Sequence, residues 1–347
     1  MTDESNLLQC EITLTRACNL RCTFCYAKNF GYNANDHISY ADLKNIIDFC
    51  CDAKTKYVFF SGGEPCLYPN LIDILEYINA KSYPMSTAIA TNGIILNDYI
   101  FCKKLVDCGV KYIDISMKGK SSHEWITTTN YDGYAKQIEA IRNLSKLNVD
   151  FTCSMVVTYE SVFSICDTVK TAHDNGGKQF SFTFIINNND DKIKNNEYLI
   201  KNNPLKLIEA FILQMPKLND ITEEWWVEYS FPLCIYSNEQ LELLRDRLAL
   251  PCQVHLQNTV CFDTNLNLLP CSMYYNNKIG RLGVDFRSYE EFINFRKSYK
   301  YINAIKGLIK LPSTSCKSCE FLNICYGGCP VLWKNYSFDV LQKFINC

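Results

Sequence analysis

From Gln9 to about Ile186 the chain alternates short β-rich runs with amphipathic helical runs, and that alternation limits its fold more than any other feature. Strands are predicted at Gln9–Thr15, Tyr57–Ser61, Met85–Thr91, Tyr112–Ser116, Asp150–Thr158 and Gln179–Ile185. Between them, helices are predicted at Tyr40–Cys51, Asn70–Asn79, Asn97–Cys108, Asp132–Leu147 and Ser161–Asp174. Successive strand–helix units imply a parallel α/β sheet with right-handed crossovers, either open and doubly wound or an incomplete barrel. In both, ligands belong at the carboxyl ends of the strands. The polar stretch Asn187–Asn203 reads as a loop or linker. Leu205–Leu218 and Asn238–Leu248 read as helices around the aromatic run Trp225–Phe231, and beyond Leu250 cysteines replace hydrophobic periodicity.

The bulk numbers exclude several classes of function. With 35 basic against 37 acidic residues and no Lys/Arg-rich run, a nucleic-acid partner has no electrostatic footprint. Met1–Asn6 is polar and acidic, unlike a secretory signal, and no apolar run reaches membrane-spanning length. The expectation is a cytoplasmic chain without a membrane partner, in which thiols stay reduced. Twenty cysteines at partly clustered spacings then point to metal binding rather than disulfides. Eleven fall into ligand-like patterns; the other nine, among them Cys50, Cys51, Cys102 and Cys166, are expected to pack as small hydrophobes within apolar helical patterns.

The first pattern, Cys18-Asn-Leu-Arg-Cys22-Thr-Phe-Cys25, follows directly on the first strand. Three thiolates in so tight a loop suit one iron–sulfur cube and leave one iron open to a cofactor or substrate, since a cube normally takes four. Zinc is the rival, but a closed zinc site wants a fourth local Cys or His, and His37 is the candidate. Ser61-Gly62-Gly63-Glu64-Pro65 closes the second strand and Thr91-Asn92-Gly93 the third.

These three motifs, in this order at strand ends, resemble the radical S-adenosylmethionine (SAM) superfamily, whose fold is a partial (β/α)6 barrel. The resemblance implies that Cys18, Cys22 and Cys25 hold a 4Fe–4S cluster whose open iron chelates SAM. Reductive cleavage of SAM would then give a 5′-deoxyadenosyl radical that takes a hydrogen atom from substrate. It further implies that Gly62, Gly63 and Glu64 bind the methionine ammonium, that Thr91 and Asn92 make polar contacts, and that Phe24 lies near the adenine. Ser116 and Lys118 are further expected contacts. Relatives carry an acidic residue where Lys118 stands and an arginine where Thr127 falls, so Lys118 becomes the candidate partner for the cofactor carboxylate.

The C-terminal spacing Cys316-x2-Cys319-x5-Cys325-x3-Cys329, with Cys252, Cys261 and Cys271 upstream and Cys347 downstream, offers eight thiols, enough for two more cubes. Structural zinc could use the same thiols. The pattern is similar to the SPASM extension of peptide-modifying radical enzymes. That resemblance gives one auxiliary 4Fe–4S cluster to Cys252, Cys261, Cys271 and Cys329 and a second to Cys316, Cys319, Cys325 and Cys347. The glycine usual five residues before Cys271 is Leu266 here. The implied organisation is a barrel over 1–190, a linker and aromatic segment over 191–250, and a small Cys-rich domain over 251–347.

The expected function is therefore a maturase acting on a ribosomally made precursor peptide. It would carry three 4Fe–4S clusters and install a thioether or carbon–carbon cross-link. Its reductant would be a flavodoxin or ferredoxin. Barrel enzymes of this kind often carry a leader-binding module before the barrel; with so few residues ahead of the first strand, leader binding is expected from a separate protein or the barrel surface. Alternatives are a peptide epimerase, an anaerobic sulfatase maturase making formylglycine, and a non-catalytic metal scaffold. The sulfatase reading is weakened by Ser272, where those enzymes carry an aspartate base. The aromatic residues Trp225, Trp226, Tyr229 and Phe231 are either core or the lining of a peptide groove.

Overall fold

The computed structural model describes residues 7–186, 203–228, 231–249, 251–334, 337–339 and 341; Tyr229, Cys347 and most of the polar linker fall outside them. Its strands are β1 (Gln9–Thr15), β2 (Tyr57–Gly62), β3 (Ser86–Thr91), β4 (Val110–Ser116), β5 (Asp150–Val157) and β6 (Gln179–Phe184). They are followed by β7 (Trp225–Glu228), β8 (Leu248–Ala249), β9 (Thr259–Phe262), β10 (Asn267–Leu269) and β11 (Gly280–Arg281). The crossovers carry α1 (Tyr40–Asp52), α2 (Leu71–Asn79), α3 (Tyr99–Asp107), α4 (Ser122–Thr129), α5 (Tyr134–Leu147) and α6 (Ile165–Asp174). Each expected strand and helix before Ile186 is present within a few residues of its predicted ends.

All strands belong to one sheet of order β11-β10-β9-β1-β2-β3-β4-β5-β6-β7-β8. From β1 to β8 neighbours are parallel and follow chain order. A doubly wound sheet reverses order at a central switch point; this one never does, so of the two α/β architectures it is the incomplete barrel. The far edge of β1 is taken by β9, also parallel, in the register Gln9↔Thr259 to Ile12↔Phe262. β10 and β11 then continue the sheet antiparallel. The Cys-rich region is thus continuous with the barrel sheet.

Packing follows the helical periods. Ser39 caps α1 by accepting from the Asp42 N–H, and α1 buries Leu43, Ile46, Ile47, Phe49 and Cys50. Phe49 meets Phe262 and Phe292 edge-on, with ring centroids 5.8 and 5.5 Å apart. That cluster joins the barrel to the C-terminal region through large apolar areas and favourable aromatic geometry.

Several expectations are corrected. Leu205–Leu218 breaks into two helices, Pro204–Ile212 and Met215–Asn219. Trp225–Glu228 of the aromatic run forms strand β7, and of the two readings Trp225 and Phe231 take the core one: Trp225 packs on Phe182 and Phe211, Phe231 on Phe184. Among the nine spare cysteines, Cys10 and Cys153 are buried on strands, not helices, and Cys234 is exposed. Helix α4 had no sequence signal, because its eight residues include three threonines, whose branching lowers helix propensity. What holds it is tertiary: Trp125 is completely buried and stacks over Gly133.

Candidate active site

β1 delivers the Cys18–Cys25 loop to the carboxyl mouth of the sheet, where the last turn of α4 clamps it. The Arg21 N–H donates to the Thr129 carbonyl at 3.3 Å and the Thr23 N–H to the Thr128 carbonyl at 2.8 Å. Leu20, Cys22, Ile94 and Trp125 form a small apolar cluster against which Cys18, Phe24 and Cys25 pack. Burial pushes the Cys18 thiol up to about 12, relieved in part by the Leu20 N–H and reinforced by Glu64, Cys22 and Cys25. Cys22 is likewise raised by burial, with the Lys118 ammonium pulling it down. Thiols so placed ionise only when a metal supplies the compensating charge.

The donor set fits an iron–sulfur cube. Three sulfurs come from one loop, and the Leu20 N–H points at the Cys18 sulfur from 3.4 Å, the kind of donor a bound thiolate uses. His37, the local fourth ligand of a zinc site, packs on Tyr68 with ring centroids 6.2 Å apart. Among the described residues no three His, Cys, Asp or Glu side chains are drawn tightly enough to hold a single metal ion.

The Gly-Gly-Glu motif locks the loop to β2. A Cβ on Gly62 would lie 2.4 Å from the Thr15 carbonyl oxygen and one on Gly63 2.2 Å from that of Ala17. The glycines therefore let two backbones meet, with the Gly63 N–H donating to Thr15 at 2.7 Å and the Glu64 N–H to Ala17 at 2.8 Å. Gly62 also sits at φ +138°, which side-chain-bearing residues avoid. These contacts between the chain's own segments were not visible in the sequence.

Glu64 is buried at 1% exposure. One carboxylate oxygen accepts from the Thr91 hydroxyl at 2.7 Å and the Cys66 N–H at 3.1 Å, and the other from the Asn92 N–H at 2.8 Å. Burial raises its pKa and these donors, led by the Asn92 N–H, pull it back. The Cys66 thiol adds a fourth bond, so the carboxylate's acceptor positions, about four in number, are taken up from within the chain. The Asn92 amide in turn donates to Asn19 at 2.8 Å, tying the end of β3 to the cysteine loop.

Next to this network lies a cavity of about 410 Å3 lined by Phe24, Lys118, Thr127, Val156 and Tyr159 among others. The Lys118 ammonium bonds the Ser116 hydroxyl and sits 5.1 Å from the Phe24 ring centroid. The structure therefore brings Phe24, Ser116, Lys118 and Thr127 to the neighbourhood of the first cysteine site.

One residue of the site escaped sequence reasoning. Glu11, on β1, accepts from the Ser61 hydroxyl at 2.7 Å, and Ser272 and the Cys261 thiol also hydrogen-bond it. Burial raises its pKa, and the Ser61 and Ser272 bonds oppose that. The strand alternation placed Glu11 on the inner face; only the β1–β9 pairing, invisible in sequence, places it beside Ser272. Ser272 thus has a carboxylate partner.

Cys252, Cys261, Cys271 and Cys329 form a second assembly. The Cys271 thiol is raised by burial and then by Cys329, Glu11 and Cys252; that of Cys329 reaches about 12 through burial and Cys252. Cys261 comes from β9 and Cys271 from the turn after β10. In the hairpin between them Leu266 takes φ +64°, the left-handed conformation that glycine adopts more readily. Asp263 holds that turn by accepting from the Asn265 and Asn267 N–H groups at 2.9 Å each. Cys316, Cys319 and Cys325 line a third cavity. Cys347 lies outside the described residues.

Comparison with known proteins bears on this geometry. Residues 12–172 match the Radical SAM superfamily. The chain is 31% identical over 145 residues to a GTP 3',8-cyclase of Clostridium acetobutylicum, covering 42% of this chain and 45% of the cyclase. It is 25% identical over 190 residues to an AdoMet-dependent heme synthase of Methanosarcina barkeri, covering 54% and 52%. The chain thus spans about half the length of these relatives. Two solved structures share the fold over nearly the whole chain. anSMEcpe with bound AdoMet gives TM-score 0.69 at 18% identity, covering 98% of this chain and 96% of that one. Streptococcus suis SuiB bound to its precursor peptide SuiA gives 0.70 at 18%, covering 97% and 76%.

A Glu64→Gln variant should keep its iron but bind SAM more weakly. One oxygen would become an NH2 group, and loss of one charge-assisted hydrogen bond costs about 1.5–3 kcal/mol, or roughly tenfold to a hundredfold in Kd. Iron analysis beside equilibrium binding of SAM checks this; an unchanged Kd removes Glu64 from the cofactor site.

Proposed function

We propose that the chain, whose residues 12–172 match the Radical SAM superfamily, is a radical SAM enzyme and a SPASM-type maturase oxidising a peptide. One observation supports this reading: the ligand-like cysteines gather in three separate places, in a fold that anSMEcpe and SuiB share over 98% and 97% of the chain. Cys18, Cys22 and Cys25 would hold the SAM-binding cluster. Cys252, Cys261, Cys271 and Cys329 would hold the first auxiliary cluster, and Cys316, Cys319, Cys325 and Cys347 the second. When bound, SAM and a reduced cluster supply a 5′-deoxyadenosyl radical that abstracts hydrogen from carbon, and further clusters supply an acceptor for the second electron of an oxidation.

The chain's own residues orient and enclose. Glu64 would offer the methionine ammonium its buried negative charge, and Lys118 a cation for the methionine carboxylate. Phe24 provides an apolar face for the adenine at the wall of the cavity. The division into a barrel (1–190), a connecting segment (191–250) and a cluster domain (251–347) describes these roles. Among the described residues no helix is long and apolar enough to cross a membrane.

A cross-link in a ribosomally made peptide is the product we favour, since a thioether or carbon–carbon bond removes two electrons and two hydrogens. The formylglycine reading gains one observation, the Glu11 carboxylate bonded to Ser272. Glu11 is already engaged by Ser61, however, and burial raises its pKa. Anaerobic incubation with SAM, a low-potential reductant and either a candidate precursor or a sulfatase peptide, followed by mass spectrometry, separates the readings. Loss of two hydrogens from the precursor and an unchanged sulfatase peptide are expected; efficient formylglycine formation would reverse the order.

A further inference from the structure

The second auxiliary site has a thiol that the cysteine spacing did not assign to it. Cys316, Cys319 and Cys325 share their cavity with Cys234, which the chain contributes from far upstream, between β7 and β8. The position of Cys234 is built rather than incidental. Leu233–Ile235 forms a single helical turn led by Pro232, and the Leu233 N–H donates to the Cys325 sulfur at 3.4 Å. On the other side, Gly328 packs so closely that a Cβ there would lie 2.8 Å from the Pro232 nitrogen. Two independent contacts thus dock this turn onto the loop that carries Cys325 and Cys329. Cys234 itself is exposed, unlike the buried spare cysteines Cys10, Cys50, Cys66, Cys102, Cys153 and Cys166. A core-packing role explains those six and does not explain Cys234.

We propose that Cys234 is a thiolate ligand of the second auxiliary cluster, able to occupy the iron position assigned to Cys347. Three cysteines of one short segment leave one corner of a cube open, and the fourth thiol in the same cavity is Cys234. Ligation forms one iron–sulfur bond and releases the thiol proton to solvent, with no change of oxidation state. Cys234 and Cys347 would then be interchangeable donors to one iron. This inference rests on the reading of Cys316, Cys319 and Cys325 as cluster ligands, and iron analysis of the wild-type protein tests that reading separately: about twelve irons support it and about eight refute it.

The test compares Cys234→Ala, Cys347→Ala and the double variant in full-length protein that also carries Cys18→Ala, Cys22→Ala and Cys25→Ala, so that the open first site contributes no signal. Each is reconstituted anaerobically, mildly oxidised and read by EPR for the 3Fe–4S cluster that forms when an unligated corner iron is lost. Opening of the site only in the double variant is the expected result, and opening in Cys234→Ala alone also supports ligation by Cys234. Opening or loss of the cluster in Cys347→Ala while Cys234→Ala stays closed overturns the proposal, as does a double variant that stays closed. Alkylation of the wild-type holoenzyme gives an independent check by peptide mass. Cys234 should label at least tenfold faster after iron chelation, and equal rates with and without chelator overturn the assignment.

Discussion

Replacing Cys18, Cys22 and Cys25 together by alanine is expected to remove about four of about twelve irons and to abolish 5′-deoxyadenosine formation. The fold should survive, because the loop is fixed by its backbone bonds to Thr128 and Thr129 and by Leu20 against Trp125, none of which uses a thiol. Circular dichroism should therefore match the wild type while the cofactor chemistry disappears. Anaerobic iron analysis and chromatography of the SAM cleavage products check both halves. Full SAM cleavage by the triple variant would sink the assignment of the first site.

Gly63→Val is expected to be nearly as damaging through a different cause. Its Cβ would meet the Ala17 carbonyl oxygen at 2.2 Å and the carbonyl carbon at 2.7 Å, both backbone atoms with no rotamer to adjust. Relief requires moving β2 away from the residue just before Cys18, which breaks the Glu64 N–H bond to Ala17. A loss of about 3 kcal/mol in stability is expected, at the upper end for overpacking, together with reduced iron in the first site. Gly307→Ala serves as the control: a Cβ there meets nothing within 4 Å, and the residue lies inside helix Tyr299–Leu308. It should be neutral or stabilising by about 0.5–1 kcal/mol. Denaturant unfolding of the two variants separates the outcomes, and a Gly63→Val protein as stable as the control would refute the packing argument.

The barrel was legible because each of its strands and most of its helices carry their own period, and because cysteine spacing survives without any knowledge of contacts. Gly62, Gly63 and Glu64 were legible as a motif, but the backbone contacts of the two glycines with Thr15 and Ala17 were not, since spacing does not say which segments meet. What stayed hidden depends on contacts between distant segments. Helix α4 exists through Trp125 burial rather than propensity. Glu11 reaches Ser272 only after β9 pairs with β1. Cys234, isolated in sequence, joins Cys316, Cys319 and Cys325 only after Pro232 docks on Gly328.

The pairing of β1 with β9 also sets a clock. On leaving the ribosome β1 finds one neighbour in β2 soon after, but its other edge is reserved for Thr259–Phe262. At about 5–20 residues per second, translation leaves that edge unpaired for roughly 10–50 s. An open strand edge invites association with other chains. During that interval the strand preceding Cys18, Cys22 and Cys25 is half-paired, and the three thiols stand beside it. Iron and sulfide delivered to that loop during synthesis would therefore meet a sheet whose β1 edge stays open until β9 is made.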